Sequence, residues 1–299
     1  MKTSTNYNRS FWNAMRGQNN NYQDMMENSD KAGSFITPVE FREKLTETLC
    51  KDNLFRKYAT TINVLTDEAT LWAVLSEGKT EWIDENEPIP DSDENFLSFK
   101  VKSHKLASVS KVKNSFVSDI NFDLEKYLLN DFSRRFGKAE ENAFINGDGV
   151  KSPIGILSAD TFVTTKSNST VAYDEVIKLY FSLESEYRKN AVFIMHDDTA
   201  MYLRTLKDNN GNYLWNNAND TIFSRPVLTS PYMPVMSAGA KSIAFGDLSY
   251  YWIVERKPLS IRCLNELYID KGQIGFSAYE RLDGKLIKPE AVKVLKIAE

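Results

Sequence analysis

The chain has 299 residues, of which 42% are hydrophobic and 26% are charged, and its formal net charge is −4. These totals are ordinary for a soluble globular protein of one large domain or two modest ones. They exclude a membrane-spanning protein, because no apolar run reaches about 18 residues, and they give no support to sequence-specific DNA recognition.

The N-terminal part divides into a polar segment and a helix. Residues 1–33 are rich in Asn, Gln, Ser and Met without sustained periodicity, which predicts a flexible segment. Its start lacks the apolar stretch of a secretory signal, so we expect the protein to stay in the cytoplasm of the cell that makes it. Beyond it, Pro38 can open an amphipathic helix whose apolar residues recur every four positions.

Between Thr60 and His104 the helical period disappears, and "TLWAVL" and "SFKVK" are typical of strands. We predict a long two-stranded excursion. An isolated pair of strands is seldom stable in water, so something else must cover its apolar side chains. These are Trp72, Trp82, Ile83, Phe96 and Leu97.

The excursion also carries a strong charge pattern. Eight acids and one lysine between Glu77 and Glu94 give a net charge of −7. Five lysines without an acid among them follow between Lys100 and Lys113. Two interpretations stay open: two solvated faces, or charge matching between copies of the chain.

The strongest helix signal is "FDLEKYLLNDFSRRFGKAEENAFING", with apolar residues at steps of three and four over about six turns. The stripe consists of Leu124, Leu128, Phe132, Phe136, Ala139 and Ala143. Gly147 is predicted to end the helix with a positive φ angle.

The remaining sequence alternates shorter elements. "YDEVIKLYFSLESEYRKN" and "DDTAMYLRTLKD" are typical of helices, the second capped by Asp197 or Asp198. "AVFIM" is typical of a buried strand, "SIAFG", "YYWIVER" and "LSIRC" of further strands, and Asp283-Gly284 of a turn between two strands. The fold class is therefore predicted as α+β, without the regular repeat of a doubly wound sheet.

Three motifs resemble sites that carry chemistry, and none has the residues that such a site needs. The Gly147–Ser152 loop lacks the Walker A spacing and follows a helix rather than a strand. The run from Asp208 to Asn212 has no glutamate at the twelfth position of a calcium loop, so a surface turn is favoured. The chain contains only two histidines, His104 and His196, so no further imidazole supports a metal or acid–base site at His196. We predict no catalytic residue, no cofactor and no metal.

The order of motifs from residue 33 onward resembles that of the major capsid proteins of tailed bacteriophages, of the Hong Kong 97 type. The matching stretches are "GSFITP", "WIDENEPIPDSDENF", "HKLASVSKVKNSF", "DLEKYLLNDFSRRFGKAEENAFINGDG", "SPIGIL" and "LKDNNGNYLW". The resemblance implies an N-arm (34–61) after a flexible segment (1–33), an E-loop hairpin (62–104), a P-domain (105–154 and 267–283) with a spine helix (122–146), and an A-domain (155–266 and 284–299).

It also implies a function. Family members assemble into hexamers and pentamers and then an icosahedral shell around double-stranded DNA, with portal, scaffold or decoration proteins as further partners and no membrane. The protein is then expected in the virion, assembled in the bacterial host's cytoplasm. The E-loop residues expected at subunit contacts are Trp72, Trp82, Ile83, Glu85, Glu87 and Phe96.

The resemblance has two departures. Some members link subunits through a Lys–Asn bond promoted by a glutamate, and the three positions here are Ile89, Gly272 and Tyr279, which predicts a shell without crosslinks. Members also often carry a longer N-terminal scaffolding segment than the residues that precede the arm here, so the scaffold is expected to be separate, unneeded or absent from this sequence.

Two alternative functions remain open. An encapsulin-like cellular nanocompartment uses the same fold around an enzyme cargo, and fold alone does not separate the two. A nucleotide-binding enzyme built on the Gly147–Ser152 loop is the alternative from another class.

Overall fold

The computed structural model describes residues 5–17, 37–64, 70–76, 82, 95–119, 121–159, 162–215, 220–264 and 266–299. Helices and largely antiparallel strands are mixed without a regular βαβ repeat, which confirms the predicted α+β class. No helix in these ranges is both long and apolar enough to cross a membrane.

The elements are numbered in chain order. The helices are α1 (Thr5–Met15), α2 (Val39–Asp52), α3 (Leu54–Tyr58), α4 (Asn114–Val117), α5 (Leu124–Asn146), α6 (Tyr173–Ser182), α7 (Ser185–Arg188) and α8 (Asp197–Thr205). The strands are β1 (Thr60–Asn63), β2 (Thr70–Ser76), β3 (Asn95–Lys100), β4 (His104–Lys113), β5 (Phe162–Thr164), β6 (Val192–Met195), β7 (Thr221–Ile222), β8 (Arg225–Thr229), β9 (Lys241–Gly246), β10 (Tyr251–Leu264), β11 (Gln273–Leu286) and β12 (Val292–Lys296).

A four-stranded sheet in the order β1–β10–β11–β4 forms one layer. Its two central strands are antiparallel and 14 residues long, and β1 lies parallel to β10 with Thr60 opposite Trp252. Because side chains alternate along a strand, β11 turns Phe276, Ala278 and Leu282 to its buried face.

The 23-residue helix α5 packs in one core with that buried face. Its predicted apolar stripe is confirmed for Leu124, Leu128, Phe132 and Phe136, which are all buried. Ala139 and Ala143 are only partly buried, and Phe144 and Ile145 are the buried apolar residues near the end of the helix. Asp123 caps the first turn, where its carboxylate accepts a hydrogen bond from the Lys126 backbone at 3.0 Å. The sheet, α5 and then α1 and α2 share this core.

A six-stranded sheet in the order β5–β12–β9–β6–β8–β7 forms a second layer with α6 and α8. Strand β6 is buried along its whole length, which confirms the strand predicted from "AVFIM". A third cluster joins the two sheets, since Phe144 of α5 and Tyr251 of β10 lie in one core with Ile194 and Val294.

The predicted excursion forms the β2–β3 hairpin, a separate two-stranded sheet. Its Phe99 packs against Trp252 of β10, with ring centroids 5.9 Å apart, and Ala73 and Ile287 complete that contact. One face of the hairpin base is therefore covered by the same chain.

The N-terminal prediction was wrong for residues 5–17. Thr5–Met15 is a helix, and its Tyr7, Phe11, Trp12 and Met15 are buried in the core around α5. These four residues recur at helical spacing, so one face is apolar although the segment is polar overall. Residues 18–36 lie outside the described part of the chain.

Gly147 does not have the predicted positive φ. Its φ is −62°, and its amide bonds the Ala143 carbonyl at 2.8 Å. A Cβ atom at this position would lie 2.0 Å from the Pro153 carbonyl oxygen. Glycine is needed here because the chain returns close to the helix end.

The C-terminal strands are longer than predicted. "YWIVER" (residues 251–256) and "LSIRC" lie in the single strand β10, whose register shifts between Glu255 and Ser260, around Pro258. Asp283-Gly284 is not a turn: both residues lie inside β11, where Gly284 leaves room for the Tyr251 ring. The predicted domain boundaries at 266/267 and 283/284 therefore do not follow the sheets, because β10 and all of β11 belong to the four-stranded one.

Two helix predictions also need correction. The cap of α8 is His196 rather than Asp197 or Asp198, because its Nδ1 accepts the Asp198 amide at 3.1 Å. The helix predicted from Tyr173 to Asn190 is split into α6 and α7, since the buried Leu183 between them has an extended backbone.

Candidate assembly surfaces and a buried charge cluster

Among the described side chains of the hairpin, Trp72 is uncovered on the face opposite Phe99. Trp72 is 65% exposed, whereas Phe99 is 8% exposed, as alternation along the paired strands requires. Trp82 is fully exposed. Of the other predicted contact residues, Ile83, Glu85 and Glu87 lie outside the described residues, and Phe96 lies on β3 with its side chain outside the described part.

The residues predicted for the spine helix form part of the subunit's core and not of an assembly surface. Leu124, Leu128, Phe132 and Phe136 pack inside the subunit. These residues hold the sheet, the long helix and the N-terminal helices together, so their role is in folding the subunit.

Tyr279 lies on the solvent side of the four-stranded sheet among three cations. The Nζ atoms of Lys105 and Lys257 are 5.3 Å and 5.1 Å from the centre of its ring, and the Arg262 guanidinium is 5.7 Å away. Lys257 also donates a 2.9 Å hydrogen bond to the phenol oxygen, which lowers the pKa of Tyr279. Of the other two positions compared with the crosslinking residues, Gly272 lies in a turn with φ of +62°, and Ile89 is outside the described residues.

Arg56 is the centre of a buried charge cluster that was not predicted. Its Nε and a terminal nitrogen bond the two carboxylate oxygens of Glu140 on α5 at 2.9 Å and 2.5 Å. The other terminal nitrogen bonds Glu255 on β10. Asn53 completes the site, because its amide donates to Glu140 at 3.2 Å while its oxygen caps α3. Through its bidentate contact with Glu140 and its bond to Glu255, Arg56 joins α3 to α5 and to the four-stranded sheet.

Glu280 on β11 brings a third carboxyl group to this cluster. Its side chain points inward, between those of Ala278 and Leu282, and one of its oxygens has no hydrogen-bond partner among the described residues. Burial, and then the charge of Glu140, raise the pKa of Glu280 well above its ordinary value of 4.5, although Arg56 acts in the opposite direction. The neutral form of this carboxyl is therefore favoured in the folded chain.

We expect Glu280→Gln to raise the subunit's free energy of unfolding at neutral pH. The folded state binds the Glu280 proton above the pKa of the unfolded chain, so wild-type stability falls as pH rises through that window, by up to about 1.4 kcal/mol per pH unit. Glutamine removes this slope. Urea unfolding at several values between about pH 5 and about pH 8 measures it. Glu47→Gln, at an exposed site, is the control, and an unchanged slope in Glu280→Gln would contradict the assignment.

The backbone amides of the Gly147–Ser152 loop donate hydrogen bonds to a side chain of the same loop. The Asp148 carboxylate accepts hydrogen bonds from the backbone of Val150 at 2.9 Å and Lys151 at 3.1 Å, and from Ser152. The bonds from Val150 and Lys151 are the main reason that the pKa of Asp148 is lowered to about 2. A carboxylate already occupies the position that a phosphate would need, so the geometry does not fit a phosphate-binding loop.

The other two motifs are accounted for by local structure. Asp208 and Asn212 form a turn closed by a backbone bond of 2.8 Å and by pairing of Lys207 with Tyr213, as predicted. His196 caps α8. Within the ranges that the structure describes, no group of three or more His, Cys, Asp or Glu side chains is placed to hold a metal ion.

Comparisons with known proteins agree on one family. A model of the phage capsid family matches residues 33–297. A solved chain described as the capsid of an empty GTA particle, computed with C5 symmetry, is 30% identical with a TM-score of 0.73, over 83% of this chain and 90% of that one. The chain from the native GTA particle gives 29% identity and a TM-score of 0.70, over 84% and 91%.

More distant matches have the same fold. A chain from Gordonia phage Cozz is 12% identical with a TM-score of 0.61, and the match covers 83% of this chain and 87% of that one. No curated protein matches the sequence significantly. The family model spans most of the chain, and the capsid of the empty GTA particle is similar in sequence as well as in fold. The chain therefore belongs to the phage capsid family, as a structural protein with the major capsid fold of tailed phages.

Proposed function

We propose that copies of this chain assemble into hexamers and pentamers that form an icosahedral phage head around double-stranded DNA. The observation that carries the proposal is the family match over residues 33–297, together with a fold shared with capsid chains over more than four-fifths of the chain. The capsid of the empty GTA particle was computed with C5 symmetry, and a five-fold axis suits a ring of five subunits. The shell then belongs to the virion, and its subunits assemble in the host cytoplasm.

The domain assignment follows the sheets rather than the sequence boundaries. We assign the four-stranded sheet with α5 to the P-domain, α5 itself to the spine helix, the six-stranded sheet to the A-domain, and the β2–β3 hairpin to the E-loop. Portal, scaffold or decoration proteins and packaged DNA, bound without sequence preference, are the further partners. The proposed role needs no cofactor.

Electron microscopy of the purified protein, with an ATP titration in parallel, tests this function. We expect rings or closed shells and no nucleotide binding. A stable monomer that binds ATP would contradict the proposal. The contents of particles purified from the native source separate a phage head, which holds nuclease-protected DNA, from a nanocompartment, which holds an enzyme.

Trp72→Ala is expected to leave the subunit fold intact and to weaken assembly, because truncation of an aromatic residue buried at an interface often costs about 2 kcal/mol or more. The critical concentration for assembly, measured by light scattering, reports this loss. Phe99→Ala is the matched control on the other face of the hairpin, where it should lower the unfolding midpoint of the free subunit instead. Equal loss of subunit stability in both variants would show that Trp72 belongs to the subunit core.

Mature particles are expected to carry no covalent links between subunits. Ile89, Gly272 and Tyr279 stand where the crosslinking members have lysine, asparagine and glutamate. Denaturing gel electrophoresis of particles should give a single monomer band. A ladder of multimers that resists reducing agent would contradict this prediction.

A further inference from the structure

The charged side chains of α5 are sorted by sign. The helix contains four acids and four cations, so its formal charge is zero. Its eight exposed residues are four cations, three asparagines and Tyr127, and none of them is an acid. Five of the eight recur at every fourth position. We call this row the α5 ridge: Lys126, Asn130, Arg134, Lys138 and Asn142.

The acids of α5 are held away from the ridge. Glu140 and Glu141 are buried and bonded to groups of other elements. Asp131 is also buried, and it accepts a 2.9 Å hydrogen bond from the next turn of the helix. Glu125, in the first turn, pairs with Lys44 of α2 at 3.1 Å. The fold therefore turns a helix without net charge into one with a cationic outer side.

The ridge is a straight and largely unneutralised row. Each step of four residues advances about 6 Å along the axis, so the five side chains span about 24 Å. Among the described residues, Lys126 and Lys138 have no ion-pair partner. Arg134 is 69% exposed, and the nearest paired carboxylate oxygen, on Asp131, is 3.8 Å from its guanidinium. These three cations are therefore available to an anionic partner.

The chemistry of the ridge fits the phosphate backbone of a duplex. Lysine, arginine and asparagine side chains all donate hydrogen bonds to phosphate oxygens, and such contacts carry no sequence information. A duplex carries one negative charge per about 1.7 Å of its axis, which gives about 14 charges over about 24 Å. The number of contacts is then set by the cations of the protein and not by the DNA.

We propose that the α5 ridge binds the phosphate groups of the packaged duplex DNA. This inference rests on the proposed function and names the surface of the chain that touches the DNA. Because the whole chain has a net charge of −4, it is not attracted to DNA by its overall charge. Binding needs a surface on which cations are concentrated and acids are absent, and the ridge meets both conditions.

Duplex DNA is favoured over an acidic protein segment as the partner. The core of a protein interface is usually apolar or aromatic, and the five ridge residues offer no such side chain. The neighbouring helix α2 shows the usual mixed pattern, because its exposed side chains include three acids and two lysines: Glu40, Glu43, Lys44, Glu47 and Lys51. The single sign of the ridge is thus a property of α5 and not of the whole surface around it.

The salt dependence of DNA binding by the unassembled full-length chain tests the inference. The ridge-neutral chain carries Lys126→Gln, Arg134→Gln and Lys138→Gln. Fluorescence anisotropy with a labelled duplex of about 30 base pairs gives the affinity at several salt concentrations. The slope of log affinity against log salt should become shallower by about 2 to 3, since each lost phosphate contact removes about 0.9. At about 50 mM salt, the affinity should fall at least about tenfold.

Two control chains separate the ridge from net charge and from the identity of the cation. Lys166→Gln, Lys178→Gln and Lys189→Gln remove the same charge from exposed positions outside α5, and this chain should bind as wild type does. Lys126→Arg with Lys138→Arg keeps the charge and should also bind as wild type does. If the ridge-neutral chain unfolds at a lower midpoint than wild type, Lys138→Gln alone replaces it, with a slope change of about 0.9.

DNA-filled particles provide a second measurement. Formaldehyde should link the packaged DNA to peptides of α5 that contain Lys126 or Lys138, and these links should be absent from the ridge-neutral chain. Links confined to other parts of the subunit would contradict the inference.

Four binding results bear on it as well. No binding by the wild-type chain at about 20 mM salt, unchanged binding by the folded ridge-neutral chain, or an equal loss in the chain changed outside α5 would each overturn it. Loss of assembly in the ridge-neutral chain with DNA binding intact would assign the ridge to a protein partner and overturn it too. If wild-type protein forms no rings or shells while the difference in DNA binding remains, the proposed function fails and the ridge still binds DNA.

Discussion

Arg56→Met is expected to lower the free energy of unfolding of the unassembled subunit by about 3 to 5 kcal/mol, because it leaves buried carboxylates without their cation. The arginine side chain and that of Glu140 are almost fully buried, and Glu255 is largely buried beside them. Methionine retains most of the packing volume, so the loss reports charge rather than a cavity. Urea unfolding of the subunit under conditions that prevent assembly measures it.

Lys51→Met is the matched control. Lys51 pairs with Glu47 at 3.1 Å, but both side chains are about two-thirds exposed, so its loss should cost less than about 1 kcal/mol. Arg56→Met combined with Glu140→Leu should recover part of the stability, since apolar groups then replace the ion pair. If Arg56→Met costs no more than Lys51→Met, the cluster is not the junction that the structure describes.

Phe11→Ala is expected to cost about 3 to 5 kcal/mol of subunit stability, the usual range when a buried phenylalanine is truncated. Phe11 is completely buried and meets the Trp12 ring edge-on at 5.4 Å. Trp12 in turn contacts Phe41 of α2 at 5.1 Å. The loss would show that α1 is part of the core of the folded subunit, and thermal or urea unfolding measures it.

An exposed phenylalanine provides the comparison for this variant. Phe181 on α6 is 64% exposed, so Phe181→Ala should change subunit stability by no more than about 0.5 kcal/mol. If both alanine variants unfold at the wild-type midpoint, α1 does not dock on the core in solution. Deletion of residues 1–17 would then be tolerated, whereas docking predicts exposure of Phe41 and Leu45 and aggregation of the truncated chain.

The elements that could be predicted have a local signal. The stripe of α5 and the apolar run of β6 each lie within one stretch of sequence, where periodicity or continuous hydrophobicity indicates the element. The helix α1 was missed because the polar composition of its segment was given more weight than the spacing of Tyr7, Phe11, Trp12 and Met15.

The candidate sites depend on contacts between distant residues, so the sequence could not reveal them. Arg56 and Glu255 are 199 positions apart, and nothing local indicates their pairing. The position of Glu280 did carry a signal, since an acid at every-second spacing with Phe276, Ala278 and Leu282 must point inward. The cations around Tyr279 come from the two strands on either side of it, β4 and β10, and they are recognised only when the register is known.

The order of strands in the two sheets has a consequence for how the chain is made. The middle strands of the four-stranded sheet, β10 and β11, and the inner strand β12 of the six-stranded sheet all follow residue 250. During synthesis, β1 and β4 must therefore wait for partners that the ribosome has not yet produced, and such distant pairing makes folding slow. An incomplete chain cannot close either sheet, so only full-length translation products acquire the surfaces that build a shell.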